Sequence, residues 1–214
     1  MGTLLLLGGL SWFAWAHYQG QSPPRPSAAE FYFHHDHIIG TSLDLCVVAP
    51  NENAAFACEQ AVLKEIERLR LVFSTYDPAS EISRLNRSTS PVSVSPELLE
   101  VLHLYEAMHE RSQGAFNGQL GELVSTWKAA EKAGTEPDPA VLEEIVLHIN
   151  QPGWKIDELH HTVIRLTNQP LDLNSIAKGY IIQRAALAAR NSVPSLQGLL
   201  LNLGGDLYVW GQDA

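Results

Sequence analysis

Leu171-Asp172-Leu173-Asn174-Ser175-Ile176-Ala177-Lys178-Gly179 places a carboxylate, a hydroxyl and a cation where a short apolar strand runs into a helix. The first turn of a helix offers unbonded backbone N–H groups and a partial positive charge, which suits a phosphate, and Lys178 adds a full charge one turn in. Asp172, just ahead of the helix, is placed to accept from a ligand donor such as a ring N–H, and the Ser175 oxygens suit a metal shell. The same residues also read as ordinary helix caps, and spacing alone leaves both readings open. Asn202-Leu203-Gly204-Gly205-Asp206, between apolar runs, reads as a tight turn or a bulge in which glycine supplies positive φ.

Other polar clusters carry less. Three histidines and an aspartate fall within His34-His35-Asp36-His37, but in a strand His35 and His37 share one face while His34 and Asp36 share the other. Four ligands therefore cannot converge, and the segment reads as a strand with exposed histidines. His160-His161 sits in an expected turn. No serine stands at a telling distance from a histidine, so nucleophilic hydrolysis has no support. Cys46 and Cys58 lie at no metal or redox spacing and read as buried thiols, with one disulfide between them as the other reading. With 24 acidic and 14 basic side chains and a net charge of −10, the chain is unsuited to nucleic acid or anionic lipid unless its basic groups cluster, and no cluster is visible.

The elements that would position the junction follow from periodicity. Phe31 to Val48 alternates and breaks at Gly40, as two strand segments would. Cys58, Val62, Ile66, Leu69 and Phe73 draw one stripe along a helix that packs on a sheet. Tyr76-Asp77-Pro78 turns the chain into a polar loop expected to run to Pro91. Ser95-Pro96 and Asp138-Pro139 are cap-plus-proline helix starts, the first leading to about Ser112 and the second to Ile149, with another helix from about Leu120 to Ala133. Three helices in succession suggest a helical layer. Trp154 to Thr167 reads as a hairpin, Leu171–Leu173 as a strand, the helix after it as reaching Ala189, and Leu199–Leu203 and Leu207–Trp210 as strands. The order predicts an α+β fold, a mixed or antiparallel sheet with a helical layer. One domain over 31–214 is expected, preceded by an apolar segment over 1–16 and a Pro-rich linker over 17–30. Leu4 to Ala16 is short for a bilayer core of about 30 Å and fits a signal-peptide core followed by Ala14-Trp15-Ala16, or else an anchor, although no Lys or Arg precedes it.

Several segments, in order, resemble the FAD:protein FMN transferases, the ApbE-type flavin transferases. Ile39-Gly40-Thr41 stands where the family has Met-Gly-Thr. Leu71 to Asn86 resembles its Ser-x-Tyr-x-Pro-x-Ser-Glu signature, Gly114-Ala115-Phe116-Asn117 with Trp127 its Gly-Ala-Phe-Asp and Trp segment, and Asp172–Tyr180 and Asn202–Asp206 its two glycine-containing motifs. The resemblance covers about Ile38 to Gly211. It implies transfer of FMN from FAD to a Thr or Ser hydroxyl of a partner protein with AMP leaving, and Mg2+ on the diphosphate. Ile39, Tyr76, Ala115, Phe116, Asn117, Asp172 and Lys178 would line the FAD site and Ser175 would face the metal. It assigns no catalytic base here. A periplasmic location, free or tethered to the inner membrane, is expected with it.

The chain departs from the family at two places. Asn117 replaces an aspartate, keeping an acceptor but removing a base. The family's later segment, with a His-x-x-Asp-Pro-x-x-Gly motif and an Asp and a Thr or Ser for the metal, would begin after Ala214. A longer protein is therefore expected, and a homologue that binds FAD without transferring it is the alternative.

Overall fold

The computed structural model describes residues 28–212; the apolar segment over 1–16 and the linker up to residue 27 lie outside them. Strands β1 (Ala29–Ile38) and β2 (Thr41–Ala49) form the first hairpin, and β2 alternates as expected, with Leu43, Leu45 and Val47 buried and Asp44 and Cys46 on the other face. Helix α1 (Glu52–Phe73) follows, its first turn capped by Asn51, whose side chain accepts from the Ala54 N–H at 3.0 Å. The stripe Cys58, Val62, Ile66, Leu69 and Phe73 is buried along its length.

That stripe rests on the inner face of a four-stranded antiparallel sheet ordered β1-β2-β6-β7, in which β6 is Gly198–Leu203 and β7 is Asp206–Gly211. Leu199, Leu201 and Leu203 of β6 continue the face that β2 begins. Helix α6 (Asn174–Ser192) lies against α1 on this sheet, burying Ala177, Ala185, Ala186 and Ala189 beside Ile181 and Ile182. Small side chains there let the two helix backbones approach closely. The α+β reading and the antiparallel sheet with its helical layer are what the structure has.

The helical layer is made differently from expectation. It consists of α1 and α6 with α3 (Pro96–Arg111) behind them, not of three successive helices. Helices α4 (Gly121–Ala133) and α5 (Pro139–Ile149) form a peripheral pair that buries only Ala130, Ile145 and Ile149. Trp127 of the first and Val141, Val146 and Leu147 of the second are exposed. A second, three-stranded sheet pairs β3 (Val92–Ser93), β5 (Thr162–Arg165) and β4 (Trp154–Asp157) in the order β3-β5-β4, so the expected hairpin gains a third strand.

Other expectations need correction. The polar loop after Tyr76 contains helix α2 (Glu81–Arg87), capped by the Ser80 hydroxyl, which accepts from the Ser83 N–H at 3.1 Å. Leu171–Leu173 is not a strand. Its polar backbone is satisfied by a side chain: Asn86 Nδ2 donates to the Leu171 carbonyl at 2.9 Å and Asn86 Oδ1 accepts from the Leu171 N–H at 2.8 Å. Both cysteines are free, and only Cys58 is buried, because Cys46 falls on the outer face of β2.

Removing Asn86 would orphan both backbone groups of Leu171, a residue that is 1% exposed. Asn86→Ala is expected to lower the unfolding free energy by about 2–4 kcal/mol, from the net worth of paired hydrogen bonds plus buried groups left unmade. Urea denaturation of the variant checks this, and a loss below about 1 kcal/mol would show that water replaces the amide there.

Candidate functional site

Both hairpins of the large sheet turn at the same end. The first turn, Ile39-Gly40, has φ of +44° and +82°, and the second, Gly204-Gly205, has φ of +56° and +94°. Paired positive φ in a two-residue loop matches the twist of the flanking strands. The turns are joined, because the Gly204 N–H donates to the Ser42 carbonyl at 3.0 Å. A Cβ on Gly204 would sit 2.2 Å from Thr41 Oγ1, so both the conformation and the close approach demand glycine. Ile39 is the opposite case: a β-branched residue in the left-handed region, at a position that favours asparagine, at a cost of about 1–2 kcal/mol.

Helix α6 begins beside these turns with no side-chain cap at Leu173; instead Asp172 Oδ1 accepts from the Asn174 N–H at 3.0 Å. One turn in, Lys178 Nζ donates to the Gly204 carbonyl at 3.3 Å and pairs with Asp206 Oδ2 at 3.4 Å. Lys178 thus joins the helix start to the second glycine turn, two segments some 26 residues apart in sequence.

The facing wall is the loop after α1, and it is tightly held. The Ser74 carbonyl accepts from Ser80 Oγ at 2.6 Å and Ser83 Oγ at 3.2 Å, and the Asp77 carboxylate accepts from the Ala79 N–H and from Arg70, both at 2.8 Å. Arg70 keeps Asp77 below the usual carboxylate range, and Glu67 with Asp77 holds the guanidinium firmly charged. On this rigid loop Tyr76 stands 80% exposed. An exposed aromatic on an ordered support is a surface waiting for a partner rather than a failure of packing.

Between these walls lies a cavity of about 590 Å3 whose lining includes Ile39, Thr41, Phe73, Tyr76, Asn174 and Lys178. The volume suits a small organic ligand, with Phe73, Ala177 and Ile181 as its apolar part. Of the residues expected to bind a cofactor, Ile39, Tyr76 and Lys178 meet here. Asp172 and Ser175 stand at the adjoining helix start. Asn117 lines a second cavity of about 290 Å3 with Tyr105, Gly118, Gln119 and Trp154. Phe116 packs on Tyr105 with ring centres 5.0 Å apart, and Ala115 is exposed. The two cavities flank one junction, because the Asp172 N–H donates to the Gly118 carbonyl at 2.8 Å. Tyr105, its phenol pushed up to about 12 by burial, faces Ser175 and Ile176 from the second side.

Asn117 is committed to the backbone. Its Nδ2 donates to the Ile149 carbonyl at 2.6 Å and its Oδ1 accepts from the Gln119 N–H at 2.8 Å, tying the loop before α4 to the end of α5. Sequence reasoning missed Thr41 and Asn174 as lining residues; both lie within segments it had marked, and only the fold shows that they line the cavity. For a metal, Ser175 offers one oxygen where magnesium takes six in near-octahedral order. Among the described residues no group of three or more His, Cys, Asp or Glu converges, so these residues do not by themselves make a magnesium shell. Two of the three histidines of β1 are bound up in pairs: His34 meets Asp44 at 2.6 Å, which raises its pKa, and His35 meets Glu59 at 2.8 Å.

Comparison with known proteins fits this geometry. The model of the ApbE family matches residues 39–214. Among curated relatives, the FAD:protein FMN transferase of Chlamydia muridarum is 32% identical over 145 residues, 63% of this chain and 45% of that protein. That of Treponema pallidum is 27% identical over 186 residues, 81% of this chain and 50% of that protein. The chain therefore spans about half the length of the curated relatives it matches. Among solved structures, the flavin transferase ApbE from Vibrio cholerae superimposes with a TM-score of 0.73 at 20% identity, covering 87% of this chain and 61% of that one. The ApbE protein of Thermotoga maritima gives a TM-score of 0.71 at 25% identity, covering 86% and 59%.

Two substitutions test the local physics. Ile39→Asn relieves the left-handed strain and is expected to stabilise the protein by about 1 kcal/mol, read as a raised Tm. Asn117→Asp turns a donor on the Ile149 carbonyl into a repelling oxygen and is expected to cost about 2–3 kcal/mol at neutral pH; a neutral result in thermal denaturation would refute the clamp.

Proposed function

The chain belongs to the ApbE family, and on that premise we propose that the protein of which it is a part transfers FMN from FAD to a Thr or Ser hydroxyl of a partner protein. The hydroxyl oxygen forms a bond to the FMN phosphorus, the bond from that phosphorus to the AMP oxygen breaks, and the hydroxyl proton passes to solvent. The observation that carries this reading is the cavity walled by Ile39, Tyr76 and Lys178, with a second cavity across the same helix start. An elongated dinucleotide suits that layout: one end beside Tyr76, the diphosphate at the α6 N-terminus, the other end toward Ala115, Phe116 and Asn117.

Each residue then has a physical task. Lys178 neutralises phosphate charge, and its present partner Asp206 keeps it extended toward the cavity. Tyr76 supplies a flat face for a ring. Asp172 uses Oδ1 on its own helix and keeps Oδ2 for a ligand N–H. Asn117 acts by holding the loop rather than as a base. Mg2+ would polarise the phosphates; Ser175 is proposed as one of its ligands, with the others outside the described residues. We also place the reaction in the periplasm, on the strength of the signal-like residues 4–16, and cell fractionation tests that.

Incubating the full-length protein with FAD, Mg2+ and an acceptor carrying the target Thr is expected to add the FMN mass to the acceptor and release AMP. Bound FAD with neither product would leave the protein a flavin-binding homologue. Lys178→Ala is expected to weaken FAD binding about tenfold or more, the scale of a charge-assisted hydrogen bond to phosphate, measured by quenching of flavin fluorescence.

A further inference from the structure

Three basic side chains reach the large cavity or its rim, and they differ in what else they hold. Arg70 is tied to Glu67 and Asp77, and Lys178 to Asp206. Lys128, on α4, has no carboxylate partner among the described residues. Its Nζ instead donates to Tyr76 Oη at 3.2 Å and lies 5.5 Å from the Tyr76 ring centre. An exposed ammonium thus rests on the exposed phenol ring of the cavity wall.

Helix α4 is placed to present that charge and to move it. Its first residue, Gly121, donates its N–H to the Pro170 carbonyl at 3.1 Å, and a Cβ there would meet that same oxygen at 2.7 Å, so the start of the helix is fixed two residues from Asp172. The far end of the α4–α5 pair is fixed near the same junction, where Asn117 and Gln119 both donate to the Ile149 carbonyl. Between these anchors α4 buries only Ala130. Lys128 lies about two turns from the Gly121 anchor, on the same side of the helix.

We propose that Lys128 recruits the anionic part of the ligand: it leaves Tyr76 for a phosphate oxygen as the ligand enters, and the released Tyr76 ring packs on the ligand's aromatic system. The inference rests on the flavin reading above and adds to it a residue from the peripheral helix pair. An ammonium with no carboxylate to give up exchanges a neutral phenol acceptor for an anionic phosphate oxygen, whereas Arg70 would have to break two ion pairs.

The test compares FAD with riboflavin, which has the same ring system and no phosphate, by fluorescence titration of the full-length protein. Lys128→Ala is expected to weaken FAD binding about fivefold at low salt, less as salt rises, and to leave riboflavin binding unchanged; Lys128→Arg is expected to restore FAD binding. Unchanged FAD affinity in Lys128→Ala overturns the proposal, and so does an equal loss for both ligands, which would make Lys128 a prop for Tyr76. Wild-type protein that binds neither ligand overturns the flavin reading and this inference with it, whereas wild-type FAD binding that ignores the substitution overturns the inference alone.

Discussion

The pairing register of β2 with β6 is the constraint on which the cavity depends. Leu43 opposite Leu203 brings the two hairpin turns level, and only at that level can the Gly204 N–H reach the Ser42 carbonyl. A slip of one residue would turn Leu199, Leu201 and Leu203 away from α1 and α6, so core burial holds the register that the site needs. From that alignment follow the position of Ile39 at the cavity edge, the carbonyl that receives Lys178, and the placement of Asp206 as its counter-charge. The same hydrophobic face thus sets both stability and the geometry at its rim.

A division of labour runs through the segment from Leu71 to Asn86. Ser74 and Ser80 build the turn, Asp77 fastens it to α1, Glu81 accepts the Ser95 N–H at the start of α3, and Asn86 stands in for a strand partner of Leu171. Of its two aromatic rings, Phe73 is buried and Tyr76 projects. A run of polar residues that looks chemical is therefore mostly scaffold, and its effect is to hold one aromatic ring out of the core. Rigid support for an exposed ring limits the entropy that ligand binding would otherwise cost.

What could be read from the sequence was what depends on neighbours along the chain. The α1 stripe, the Ser95 and Asp138 caps, and the two hairpins of the large sheet follow from periodicity and capping within a few residues. Helix α2 was missed because a seven-residue helix between Ser80 and Ser88, about two turns, leaves too short a pattern to distinguish from a polar loop. The Leu171 segment was misread as a strand because its backbone is paired by the Asn86 amide, 85 residues away in sequence, and no local pattern reports such a partner. In the site, Lys178 and Tyr76 were legible as chemistry-bearing residues, whereas the Lys128 contact arises from packing across 52 residues. Asn117 was legible as a departure from its family, but only its bonds to Ile149 and Gln119 give the departure a structural content.

The charge layout shows how an acidic chain could receive the phosphate ligand proposed for it. A net charge of −10 repels anions at long range. Two of the cations near the cavity are held by carboxylates, so the resting site presents little uncompensated positive field and avoids the cost of unpaired charge near its apolar lining. Attraction is then short-ranged, confined to about a Debye length and to groups that can exchange partners. Asp206 serves such an exchange better than Asp77, because the Lys178 pair is longer and more open to solvent than the Arg70 pair. Under the proposed flavin reading, this arrangement would favour a ligand carrying both a flat ring and a phosphate, since neither the aromatic wall nor the guarded cations alone would hold a simple anion against the field of the whole chain.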